Sequence, residues 1–204
     1  MSEAQPARRA RDPQARREAL AAATIEVIAE NGIGRTTHRA VAARADLPLG
    51  ATTYYFPTLN ALIAAGLQRA AEAQDADLQL WAARIRNAPD LASALVELTE
   101  EGLADRRQAR IEYELFVAAA RDEALRPLAT SWLEGLHGLL APRVGDAAAR
   151  NISALLDGAA LQVLVTGSEL EADGLRDAIR RLATEGQAPE RASRKPTSST
   201  AKVG

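Results

Sequence analysis

The chain of 204 residues is 47% hydrophobic, 25% charged and 3% aromatic, enough for one large or two small domains around an apolar core. It has no cysteine, which excludes disulfides, thiolate zinc sites, iron–sulfur clusters and thiol nucleophiles. The net charge of −2 hides an asymmetry: residues 1–55 carry eight Arg against six Asp and Glu, whereas residues 56–204 carry 17 basic and 21 acidic residues, a distribution suited to meeting a polyanion at one end.

Residues 1–11 are small, polar and basic and read as a disordered arm. The arginines there precede no apolar stretch, and no run approaches the roughly 20 apolar residues of a membrane helix, so a cytoplasmic protein is expected. Asp12-Pro13 reads as a helix start, and Leu20, Thr24, Val27 and Ile28 follow at helical spacing. Asn31-Gly32 closes that helix with a residue suited to a left-handed cap. Thr36-Thr37 caps a short helix running to about Ala45, with Val41, Ala42 and Ala45 inward; Asp46-Leu47-Pro48 breaks it. A second short helix, roughly Pro48 to Tyr54, ends near Phe56-Pro57.

Thr58 then caps a long helix with an apolar stripe of Leu59, Leu62, Ile63, Leu67, Ala70, Leu78, Trp81 and Ile85. Further helices are predicted at about 90–105, 107–121, 124–141, 147–166 and 173–185. No segment alternates with period two, so no strand is expected. Residues 187–204 are Ser-, Thr-, Pro-, Lys- and Arg-rich and read as a disordered tail. The fold class is all-α: three short helices, a long connecting one, and a bundle of about five.

Two helices about eight residues long, joined by a break of three or four, have the spacing of a helix-turn-helix. The second must lie in the major groove with small or polar residues toward the bases, and Leu49-Gly50-Ala51-Thr52-Thr53 fits. Threonine hydroxyls suit phosphate contact, and Tyr54 and Tyr55 add phenolic hydroxyls on a rigid arm. The stretch from Thr36 to Phe56, followed by Leu62, resembles the DNA-binding motif of the tetracycline-repressor (TetR) family, and the resemblance covers about 13–73. Three positions depart from the pattern. Asp46 stands where the turn usually has glycine, Thr53 where a tyrosine is usual, and Leu59 where a phosphate-reaching lysine is usual.

The resemblance implies a DNA-binding domain over 12–73 and a ligand-binding and dimerisation domain over 74–186. It maps phosphate contacts to Thr36, Thr37, Tyr54 and Tyr55, and base-edge or groove contacts to Arg39, Leu49, Ala51 and Thr53, with Gly50 and Thr52 in the same helix. Arg8, Arg9, Arg11, Arg16 and Arg17 are candidates for salt-sensitive phosphate or minor-groove contacts. It further implies a homodimer through helices 124–141 and 147–166, the second carrying Gly158-Ala159-Ala160 for close approach, and a palindromic double-stranded operator. An amphipathic or apolar small-molecule effector, bound among Trp81, Tyr113, Phe116, Trp132 and His137, would shift the long helix that starts at Thr58 and respace the recognition helices.

Other readings are weaker. Glu134-x-x-His137 matches half of a di-iron signature, but the other histidine, His38, lies in the DNA motif, so no metal or cofactor is expected. Glu112 and Glu114, beside Tyr113, read as solvated. No phosphate-binding loop, dinucleotide fingerprint or nucleophile elbow is present, and an enzyme is not expected. An interaction protein with a degenerate DNA motif, and an activator, remain as alternatives to a repressor.

Overall fold

The computed structural model describes residues 12–187, and these form nine α-helices with no strand. The basic arm with Arg8, Arg9 and Arg11, and the C-terminal tail beyond Gln187, lie outside the described residues. The helices are α1 (Pro13–Asn31), α2 (His38–Arg44), α3 (Leu49–Tyr55), α4 (Leu59–Asn87), α5 (Leu91–Ala104), α6 (Arg106–Arg121), α7 (Arg126–Val144), α8 (Asp146–Thr166) and α9 (Ala172–Gln187). Short 3-10 turns at Ile33–Arg35 and Glu123–Leu125 precede α2 and α7.

Local chemistry sets most boundaries. Asp12, Thr37, Thr58, Asp90 and Asp105 each accept a hydrogen bond from a backbone N–H in the first turn of the helix they begin, satisfying donors that helix geometry leaves unpaired. Gly32 ends α1 at φ 76°, ψ 163°, so it is not the expected left-handed cap. This pairing of angles is nearly restricted to glycine, and it turns the chain sharply into the 3-10 turn. The expected end of α7 at 141 is also corrected. The helix runs through Pro142 to Val144 because Val144 is buried and Arg143 donates to the Ala88 carbonyl at 3.0 Å and to that of Ile85; tertiary anchoring outweighs the hydrogen bond that proline removes.

Three apolar clusters divide the work. Leu20, Ala23, Val27, Val41, Phe56 and Leu62 hold α1, α2 and α3 against the start of α4. A larger cluster built on Ile85, Leu95, Leu98, Leu136, Leu140, Ile152, Leu156 and Ile179 unites α4, α5, α7, α8 and α9. Between them, Ile28, Ile63, Leu67, Leu115, Ala119 and Leu125 join α1, α4 and α6. The 29 residues of α4, about 44 Å at 1.5 Å per residue, run through all three. Where α4 passes α1, a Cβ on Gly66 would stand 2.8 Å from the Thr24 methyl, so the two helices are closely packed there.

The turn between α2 and α3 places Asp46 at φ 52°, the left-handed region. Glycine reaches this conformation without strain, and Asp is among the few other residues that tolerate it. Asp46→Gly is expected to keep the melting temperature, whereas Asp46→Val, whose branched side chain does not tolerate that region, should lower stability by about 1–2 kcal/mol. Circular dichroism melts of the two variants check this; equal melting temperatures would contradict it.

Candidate DNA-reading surface and effector cavity

α3 stands proud of the first three-helix unit. Leu49, Gly50, Thr53 and Tyr54 are exposed, Tyr54 by 78%, while Ala51 and Tyr55 are half-buried. Tyr54 and Tyr55 meet edge to face with ring centroids 5.0 Å apart, so the inner ring braces the outer one. Thr37 and Arg39, at the start of α2, are exposed beside them. Thr36 and Thr52 turn inward instead. Thr36 is buried, its hydroxyl donating to the Gly32 carbonyl at 3.1 Å; Thr52 is fully buried, donating to the Leu49 carbonyl at 2.7 Å. As folded, neither hydroxyl faces outward, which departs from the contact roles expected of both.

Other side chains fix the tilt of α3. Phe56 is 1% exposed, with the Arg17 guanidinium 4.6 Å from its ring centre and His38 Nε2 2.9 Å from its carbonyl oxygen. Leu59, at the position where the motif usually carries lysine, packs half-buried between the first cluster and the junction. Arg44 pairs with Glu26 at 2.9 Å and with Glu30, which also faces Arg107 at 3.8 Å. α2 is thereby tied through α1 to α6.

The second site is a cavity of about 420 Å³ enclosed by α4, α5, α6, α7 and α8, within the range of small-molecule sites. Trp81 and Trp132 form one wall, edge to face at 5.3 Å, and Tyr113 and Phe116 another at 6.0 Å. All four of these aromatics line the cavity. His137 does not; its Nε2 lies 3.3 Å from Asp146 Oδ1, away from the cavity between α7 and α8.

The unforeseen feature is acid. Asp77 from α4, Glu112 from α6 and Asp157 from α8 also line the cavity. Glu112, read from sequence as solvated, is pushed up to about 7 by burial; the nearby Gln108 and Gln74 amides pull it down, and Asp77 and Asp157 add repulsion. Burial alone raises Asp157 to about 6 and moves Asp77 in the same direction. The Tyr113 hydroxyl donates to the Asp157 carbonyl at 2.7 Å, and burial raises the phenol as well. Arg84 lines the cavity but is engaged by Glu97 at 3.2 Å and Glu101 at 2.5 Å. A partly desolvated carboxylate cluster without its own base favours either protons or an incoming cation. Among the described residues, no cluster of His, Asp and Glu is arranged to hold a metal ion, and no helix is long and apolar enough to cross a membrane. The sequence did carry a signal for Asp157, an acid inside the apolar run Leu155-Leu156-Asp157-Gly158-Ala159-Ala160. It carried one for Glu112 as well: its neighbours three and four residues away are Gln108, Ala109, Leu115 and Phe116, so it is an acid on the apolar face of an amphipathic helix.

Residues 86–185 match the family described as Tetracyclin repressor-like, C-terminal domain. A TetR-family member from Streptomyces coelicolor A3 is 41% identical over 82% of this chain and 97% of its own, with a TM-score of 0.72. The multidrug binding protein EbrR, solved with proflavin, is 41% identical over 82% of this chain and 99% of its own, TM-score 0.69; its ethidium complex gives 41%, 82%, 97% and 0.71. No functionally curated protein is significantly similar. An exposed helix after a tight turn, joined by one long helix to a bundle with an internal chamber, defines a ligand-responsive helix-turn-helix regulator. The chain belongs to the TetR family of transcriptional regulators.

Proposed function

We propose that this chain is a homodimeric repressor that holds a palindromic operator through α3 and releases it when a flat aromatic cation fills the cavity. The observation that carries the effector class is the cavity itself: four aromatic rings and three partly desolvated carboxylates, with its arginine already engaged. Aromatic faces and fixed negative charge together favour a delocalised organic cation over a neutral or anionic molecule. EbrR has been solved with proflavin, ethidium and malachite green, all of which are delocalised aromatic cations.

In this reading residues 12–73 read DNA and 74–186 bind effector and dimerise. Thr37 and Tyr54 reach phosphates, with Tyr55 bracing Tyr54; Arg39, Leu49, Gly50, Ala51 and Thr53 face the groove. Supporting the dimer, Leu133 on α7 and Leu161 and Val165 on α8 are exposed apolar residues, and a Cβ on Gly158 would meet nothing within this chain. A second copy laid on that face would cover them.

Both tryptophans of the chain line the cavity, so their fluorescence reports occupancy directly. Malachite green should quench it with a micromolar or lower Kd, whereas an anionic dye of similar size should not. Equal quenching by the anionic dye would contradict the effector class. Operator binding should weaken steeply with salt, because phosphate contacts release counterions; fluorescence anisotropy of a labelled operator at two salt concentrations measures the slope.

A further inference from the structure

Gln74, on the face of α4 that meets α6, is 2% exposed, and neither its amide nitrogen nor its amide oxygen has a hydrogen-bond partner. A primary amide sealed from water with both ends unmade is costly and uncommon in folded proteins. Gln74 lies beside Glu112, close enough to bias its proton, and is one turn of helix before Asp77. The hydrogen bond that Gln108 Nε2 gives the Glu112 carboxylate is long, at 3.5 Å. Glu112, which lines the cavity, therefore has acceptor capacity to spare, and an amide without a partner stands beside it.

We propose that Gln74 and Glu112 form a hydrogen-bonding end of the cavity that selects cations bearing N–H donors over fully alkylated ones, with Gln74 as the positioning residue. The inference rests on the cation reading above. An ammonium, amidinium or arylamine N–H entering the cavity donates to the Glu112 carboxylate on its open side. Gln74 Nε2 then donates to the same carboxylate from behind and fixes its direction. These are charge-assisted hydrogen bonds in a partly desolvated site, which are stronger than neutral ones. A quaternary cation supplies the charge but no donor, leaving the carboxylate unpaired toward the ligand, and sites of this kind discriminate strongly against a partner that lacks the hydrogen.

The test compares 2-naphthylmethylammonium with its N,N,N-trimethyl derivative, which share an aromatic body and a single positive charge, by calorimetry at pH 7.5. The full chain should bind the first at least ten-fold more tightly. Gln74→Met, which keeps the volume and removes the amide, should reduce that ratio to below three-fold while leaving the Kd of the trimethyl compound within two-fold. It should also raise the melting temperature of the unliganded protein, since an unmade polar pair is removed. A merely structural glutamine would leave the ratio unchanged. Equal affinity of the two compounds for the unmodified chain, or a ratio that survives Gln74→Met, overturns the proposal while leaving the cation reading standing. If neither compound binds and malachite green also fails to quench, the cation reading itself fails.

Discussion

Replacing Glu112 by glutamine weakens binding of a flat aromatic cation by ten- to hundred-fold at pH 8, and the loss shrinks toward pH 6. A hydrogen bond or contact to a charged group is worth about 1.5–3 kcal/mol, and about 1.4 kcal/mol is one decade of affinity. The pH trend follows from the raised Glu112 carboxyl, at about 7 in the unliganded protein. A bound cation favours the ionised form, so the unmodified protein must release a proton to bind below that value, and its affinity rises with pH before levelling above it. The glutamine variant has no such proton to release at this position, so its profile is flatter. Stability moves the other way. The folded-state value lies above the ordinary 4.5, so the burden is absent below the unfolded value and develops as pH rises through the folded one. By pH 8 the unliganded protein carries about 3–4 kcal/mol of destabilisation from this carboxylate, since a tenfold change in proton affinity corresponds to about 1.4 kcal/mol, and Glu112→Gln should melt higher there. Calorimetric titrations and melts of both proteins at pH 6 and 8 measure these effects; parallel pH profiles would show that Glu112 takes no part in binding.

Phe56→Ala strongly destabilises the DNA-reading unit, and Tyr54→Ala disables it without lowering its stability. Phe56 is 1% exposed in the cluster beneath α3 and lies under Arg17 and beside His38. Truncating a buried Phe costs about 3–5 kcal/mol through lost transfer energy and the cavity left behind, roughly 10 °C of melting temperature in a chain of this size. Tyr54 is 78% exposed, so its truncation leaves the melt within about a degree. Losing its contact with DNA should still weaken operator binding by about 1–3 kcal/mol. Parallel melts and operator titrations separate the two effects. If Tyr54→Ala binds as tightly as the unmodified chain, α3 does not reach DNA in the manner proposed.

Most of the scaffold was legible from local chemistry. Asp12-Pro13, Thr37 and Thr58 announce helix starts because their side chains satisfy amides that any helix leaves unpaired. The stripe on α4 gives the buried positions Leu62, Ile63, Leu67, Ala70, Leu78 and Ile85 because burial follows helical periodicity. Position within a motif did not reveal side-chain direction: Thr36 and Thr52 fall in the DNA-contact pattern, yet both fold back on backbone carbonyls. The cavity was legible only in its aromatics. Trp81 and Trp132 are 51 positions apart in a chain holding just two tryptophans, and rarity drew attention to them. The acidity of the chamber depends on which faces of α4, α6 and α8 converge. That is a long-range property; helical periodicity sets Glu112 on the apolar face of α6, but not which acids of other helices it meets. His137 departs for a related reason: the resemblance grouped it with the effector contacts, while tertiary packing turns it toward Asp146.

The most direct test joins the two sites. A palindromic duplex selected from a random pool by the unliganded protein is labelled and followed by anisotropy while malachite green is added, in parallel for the unmodified chain and for the double variant Glu112→Gln, Asp157→Asn. The dye should release the unmodified protein at concentrations that quench its tryptophans, and the double variant should stay bound over the same range, which excludes an effect of the dye on the DNA. Dye that saturates the cavity while operator occupancy stays constant, or equal release of both proteins, would contradict the coupling of cavity and operator proposed for this chain.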